Sequence, residues 1–105
     1  MTMDNLRTRE RIVELAGQFL DAMRRGEWKE ATVLQKQRDS AIRYLCEHVG
    51  LGEANALSSL LREMQGVNEE ARRLGSRARE QVLGDLEALK ENKRGHLAYQ
   101  RRRAA

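Results

Sequence analysis

An apolar stripe with no breaker in it constrains this chain more than any other feature. Leu57, Leu60, Leu61, Met64, Ala71, Ala78, Val82, Leu86 and Leu89 recur at three- and four-residue spacings, which puts them on one face of an α-helix. The chain has no proline, and only single glycines interrupt this segment. A helix over about residues 54–92 is therefore predicted, roughly 55–60 Å long at 1.5 Å per residue. The two helical segments before it are each about twenty residues, or roughly 30 Å. A hairpin of that size cannot cover the whole stripe, and uncovered apolar surface calls for a partner.

The first helix is predicted over about residues 4–25, capped by Asp4 or Asn5. Its apolar face is Ile12, Leu15, Ala16, Phe19 and Met23. Arg24 and Arg25 suit its C-terminal dipole, and Gly26 suits the left-handed residue that follows. The second helix spans about residues 27–49 and must fold back antiparallel after so short a break. Its stripe is Trp28, Ala31, Leu34, Ala41, Ile42, Leu45 and Val49, with polar Gln35 and Arg38 in the middle. Gly50 and Gly52 bracket Leu51 and separate this helix from the third. Lys93-Arg94-Gly95 reads as a break, leaving residues 93–105 as a basic tail. The expected fold is all-α, a single domain over residues 1–105. It is an antiparallel three-helix arrangement: a helical hairpin plus a long third helix.

Composition narrows the function. With 34% charged residues and only Phe19, Trp28, Tyr44 and Tyr99 as large rings, the chain buries a seam of small and aliphatic side chains and encloses no catalytic cavity. Residues 1–92 carry fifteen cations against sixteen acids, whereas residues 93–105 carry five cations and no acid. A nearly neutral body with one basic end argues against a basic nucleic-acid-binding face. Cys46 is the single cysteine, so no internal disulfide forms and a reducing compartment is expected. No signal peptide and no membrane span are read from the sequence, and a cytoplasmic location is expected. There is no phosphate loop, no paired-cysteine metal pattern and no His-Glu-x-x-His. Neither cofactor, metal nor enzymatic activity is expected. The small all-helical chorismate mutases match in size, but their long helix comes first. Their Leu-Arg-x-x-Ile-Asp opening is absent from Leu6-Arg7-Thr8-Arg9-Glu10-Arg11.

Several residues break the seam pattern. Val67 and Leu74 widen one flank of helix three beyond what one neighbouring helix needs. Arg38 lies within the stripe of helix two and Asn68 within that of helix three. Arg38 is expected to snorkel or to pair with Glu69 or Glu70, since an unpaired buried charge is costly. Trp28 is expected to pin the corner of the hairpin. The predicted partner surface is Leu57, Leu60, Leu61, Met64, Val67, Asn68 and Ala71, assisted by Leu34, Arg38 and Ile42 from helix two. Such a groove takes an incoming amphipathic helix.

In order, Gly26-Glu27-Trp28, Arg38, Asn68-Glu69-Glu70, Leu86-x-x-Leu89, Lys93-Arg94-Gly95 and Ala98-Tyr99 resemble the flagellar export chaperones of the FliT type, over about residues 12–100. The resemblance implies a helical bundle that binds the C-terminal helical region of the flagellar filament-cap protein and prevents its premature assembly. It also implies delivery to the export ATPase complex. Some members restrain a flagellar transcription regulator and carry a further C-terminal helix that folds back over the binding surface. Only six residues follow Tyr99 here, so autoinhibition by such a helix, and regulator binding that depends on it, are not expected to carry over. The second half of the stripe, Ala78 to Leu89, is expected to be covered by a client or by a second copy in a homodimer. The alternative reading is a small helical regulatory or nucleic-acid-associated protein that uses its basic tail.

Overall fold

The computed structural model describes residues 2–104, with side chains up to Arg102. Three α-helices follow one another: α1 (Met3–Arg24), α2 (Trp28–His48) and α3 (Ala54–Ala104), with a 3-10 turn at Leu51–Glu53 before α3. The all-α class and the hairpin followed by a long helix are as expected. Two details at the ends of helices differ from the sequence reading. Thr2, not Asp4 or Asn5, caps α1: its hydroxyl accepts the Asn5 backbone N–H at 3.2 Å. More consequentially, α3 runs on through Lys93-Arg94-Gly95 to Ala104. A lone glycine costs about 1 kcal/mol relative to alanine in a helix. Strong helix formers on both sides, and cations near a C-terminal dipole, outweigh it.

The α1–α2 corner is a Schellman closure. Gly26 takes φ +72°, its N–H bonds the Met23 carbonyl at 3.1 Å, and the Glu27 N–H bonds the Ala22 carbonyl at 2.9 Å. Three residues thus reverse the chain. The backbones of α1 and α2 approach closely along their length, while the first part of α3 stands further off and is joined to them through side chains. At the other end Leu51, between two glycines, is almost wholly exposed.

The chain divides into two units, the first ending at Leu74 and the second beginning at Gly75. The core of the first unit has two clusters. One joins Ile12, Ala16, Leu45, Leu60 and Met64; the other joins Phe19, Ala22 and Ala31 near the hairpin corner. Val67 packs against both. On α2 the buried residues Ala31, Arg38 and Leu45 stand seven apart, the repeat of a helix-packing seam. Arg38 is therefore the charged layer between two apolar ones. In the second unit every residue from Arg79 to Arg102 is exposed.

Two buried polar residues organise the first unit. Asn5, on the same seven-residue register as Ile12 and Phe19, donates from its side-chain amide to the His48 carbonyl at 3.2 Å and to the Glu53 carboxylate at 3.5 Å. It ties the start of α1 to the α2–α3 connection. Arg38 is 2% exposed and does not reach Glu69 or Glu70. Its Nε and Nη2 donate to Asp39 at 3.3 and 3.2 Å, and its guanidinium lies 5.4 Å from the centroid of the Phe19 ring. The adjacent carboxylate and ring are close at hand from within the hairpin, whereas Glu70 is engaged by Arg73 at 2.9 Å. The Nη1 of Arg38 has no hydrogen-bond partner.

Candidate partner-binding groove

A groove of about 430 Å³ opens beside the hairpin corner, walled by all three helices of the first unit. Its apolar floor comes from Phe19 and Met23 of α1 and from Ala31 of α2; Ala71 closes it from α3. The rim is Trp28, Thr32 and Gln35 on α2 facing Asn68 and Arg72 on α3. The spacing explains the walls. Trp28, Thr32 and Gln35 stand at i, i+4 and i+7 on one flank of α2, and Asn68 and Arg72 at i and i+4 on α3.

The rim offers unused polar chemistry. The Thr32 hydroxyl donates to the Trp28 carbonyl at 2.9 Å, but among the described residues none hydrogen-bonds the side chains of Gln35, Asn68 or Arg72. Two carboxamides and a guanidinium can thus meet the polar side chains and backbone ends of an incoming segment. Trp28 is 45% exposed, an aromatic surface with a donor that can serve a partner. It is the first residue of α2, belongs to neither core cluster, and walls the groove.

The residues predicted from sequence fall into four groups. Asn68 and Ala71 line the groove. Leu34, Ile42, Leu57 and Val67 are half-buried on the edges of the core clusters, and Leu61 is exposed. Leu60, Met64 and Arg38 are buried within the bundle. The seam needed them, because α3 reaches the hairpin through side chains alone. Sequence reasoning passed over Thr32, Gln35 and Arg72, which line the groove. The signal for them was the i, i+4, i+7 run beginning at Trp28, together with the polar Gln35 at the edge of an apolar stripe.

Beside the groove, Arg25 lies 3.4 Å from Glu27 and 3.5 Å from Glu30. The Glu30 carboxyl titrates above its ordinary 4.5, through a hydrogen bond with Glu27, desolvation and the repulsion of that neighbour, with Arg25 opposing.

A family model described as flagellar protein FliT matches residues 6–101. The chain belongs to the FliT family. The match spans all three helices, including the stretch of α3 beyond Asn92. As a FliT-family protein the chain is, broadly, a flagellar export chaperone. Comparisons with curated proteins and with solved structures gave no match. Among the described residues no helix is long and apolar enough to cross a membrane.

Proposed function

We propose that this FliT-family protein is a non-enzymatic cytoplasmic chaperone of flagellar type III export. It captures the C-terminal helical region of the filament-cap protein, keeps it from assembling early, and hands it to the export ATPase complex. The observation that carries this reading is the groove between α2 and α3, with its apolar floor and a rim of unengaged polar side chains. A client helix lays its apolar face into such a groove, using anchors at i, i+3, i+4 and i+7. The seat extends along the bundle by seven-residue steps, from Trp28 through Gln35 to Ile42 on α2, and from Asn68 to Leu61 on α3. Met23, on an unbranched and polarizable side chain, adapts to the client's contours.

Titration calorimetry of the full chain against a C-terminal fragment of the filament-cap protein tests this. Trp28→Ala, which removes the one aromatic side chain that α2 gives to the groove wall, should weaken capture by roughly tenfold. Asn68→Lys should weaken it too, with the far-UV spectrum of both variants unchanged. Failure of the wild-type chain to bind the fragment would reject the client assignment. Wild-type affinity in both variants would move the seat elsewhere. A pulldown of the chaperone–client complex with the export ATPase complex tests delivery separately.

A further inference from the structure

We infer that the second unit carries a docking helix for an anionic phospholipid surface. This helix is the continuation of α3 to Ala104, and it shares no residue with the groove. Helical phasing at 100° per residue brings Lys90, Lys93, Arg94 and Arg101 onto one side of the helix. Leu86, Leu89 and Leu97 stand among them on the same arc, with Val82 and Leu83 preceding. Every acid of this stretch, Glu80, Asp85, Glu87 and Glu91, lies outside that arc. The result is a face of leucines and cations, free of carboxylates, running for about two-thirds of the unit.

Nothing described engages this face. Leu86, Leu89 and Leu97 are 48%, 63% and 45% exposed, and among the described residues Lys90, Lys93, Arg94 and Arg101 have no ion-pair partner. Leucines and cations on one face are satisfied together at a bilayer boundary. The leucines dip below the headgroups, while the long cationic side chains snorkel up to the phosphates. A duplex nucleic acid would use the cations but would leave the leucines in water. The body, with fifteen cations against sixteen acids in residues 1–92, supplies no second basic surface to follow a duplex. Charge and apolar pattern together therefore favour lipid. Each cation near an anionic surface strengthens binding by about fivefold, and this attraction is lost in high salt.

Co-sedimentation of the full chain with vesicles tests the inference. The probe is phosphatidylcholine alone or with phosphatidylglycerol added to about a third of the lipid. The chain should pellet with the mixed vesicles and not with the neutral ones. The combined substitution Lys93→Gln, Arg94→Gln and Arg101→Gln should reduce partitioning by on the order of a hundredfold. Glutamine keeps the helix, which far-UV circular dichroism verifies. Leu86→Ala with Leu89→Ala should weaken binding at high salt more than at low salt. Neutralising Arg7, Arg43 and Arg62, exposed cations of the first unit, should leave binding unchanged. Equal pelleting with both vesicle types would overturn the inference. So would equal losses from the two triple variants, or binding of duplex DNA by the same cations without binding of anionic vesicles.

Discussion

Among the described residues, Arg38 and Asn5 are the buried polar side chains that depart from a plain apolar seam, and each acts differently. Arg38 is a buried cation with one carboxylate neighbour, an aromatic ring beside it, and an unpartnered Nη1. Such a charge contributes little net stability, because desolvation offsets its attractions. Arg38→Met keeps most of the volume without the charge and should leave stability unchanged or raise it by about 1–3 kcal/mol in urea denaturation. Arg38→Ala, which opens a void between the two clusters, should lower it by about 2–4 kcal/mol. Asn5→Ala leaves the His48 carbonyl without its side-chain donor and should lose about 1–2 kcal/mol. Arg38 was recognisable in the sequence as a charge within a stripe, but its partner was not. Pairing with Asp39 follows from how the hairpin seats the side chain, which no spacing encodes. Asn5 looked like a cap because that is the local use of asparagine before an apolar run. Its actual acceptors lie 43 and 48 residues away, beyond the reach of local signals.

The elements themselves were largely readable, since period, capping and glycine placement agree along α1 and α2. Gly26 is the clearest case: its φ of +72° follows from a glycine after two arginines at the end of an amphipathic run. No neighbour crowds a Cβ there, so Gly26→Ala tests backbone conformation alone. It should lower stability by about 1–2 kcal/mol, with Gly26→Asn losing less. In the same corner, Glu30 titrates above 4.5, so its ionised form is disfavoured in the folded state and its protonated form is favoured. The destabilisation is present above the folded value and is relieved as pH falls through it. Glu30→Gln should therefore raise the melting temperature slightly at neutral pH, and the gain should fade under acid. The C-terminal limit of α3 was misread because Gly95 was given the weight of a stop. One glycine without a following proline or a cap is a soft spot only. Gly95→Ala should raise helicity in the far-UV and slow amide exchange around it, by the equivalent of about 1 kcal/mol.

At the level of the molecule, the lining of the groove was only partly legible: Asn68 and Ala71 belong to it, as do the unread Thr32, Gln35 and Arg72. The apolar density around Leu60 and Met64 marks the part of α3 that joins the core of the first unit. Leu60→Ala should destabilise the fold by about 2–5 kcal/mol, with client capture lost in proportion to folding. Trp28→Ala should impair capture while the fold survives, and comparing the two variants separates core from seat. The groove emerges only when three helices meet. Phe19, Trp28 and Arg72 stand on three different helices, and no single stripe contains them. Family membership, by contrast, was carried by short motifs in order along most of the chain, and these survive as sequence whatever the packing around them.

The three-residue corner between α1 and α2 has a consequence in time. Contacts between neighbouring segments form quickly, because little chain must be closed to make them. The α1–α2 hairpin should therefore assemble before α3 docks, with φ-values near 0 for Leu60 and Met64 and higher ones for Ala22 and Ala31 at the corner. During synthesis a hairpin would wait with its apolar faces open until the segment around Ala71 has left the ribosome. An export chaperone would, for that interval, be a chain in need of the same service.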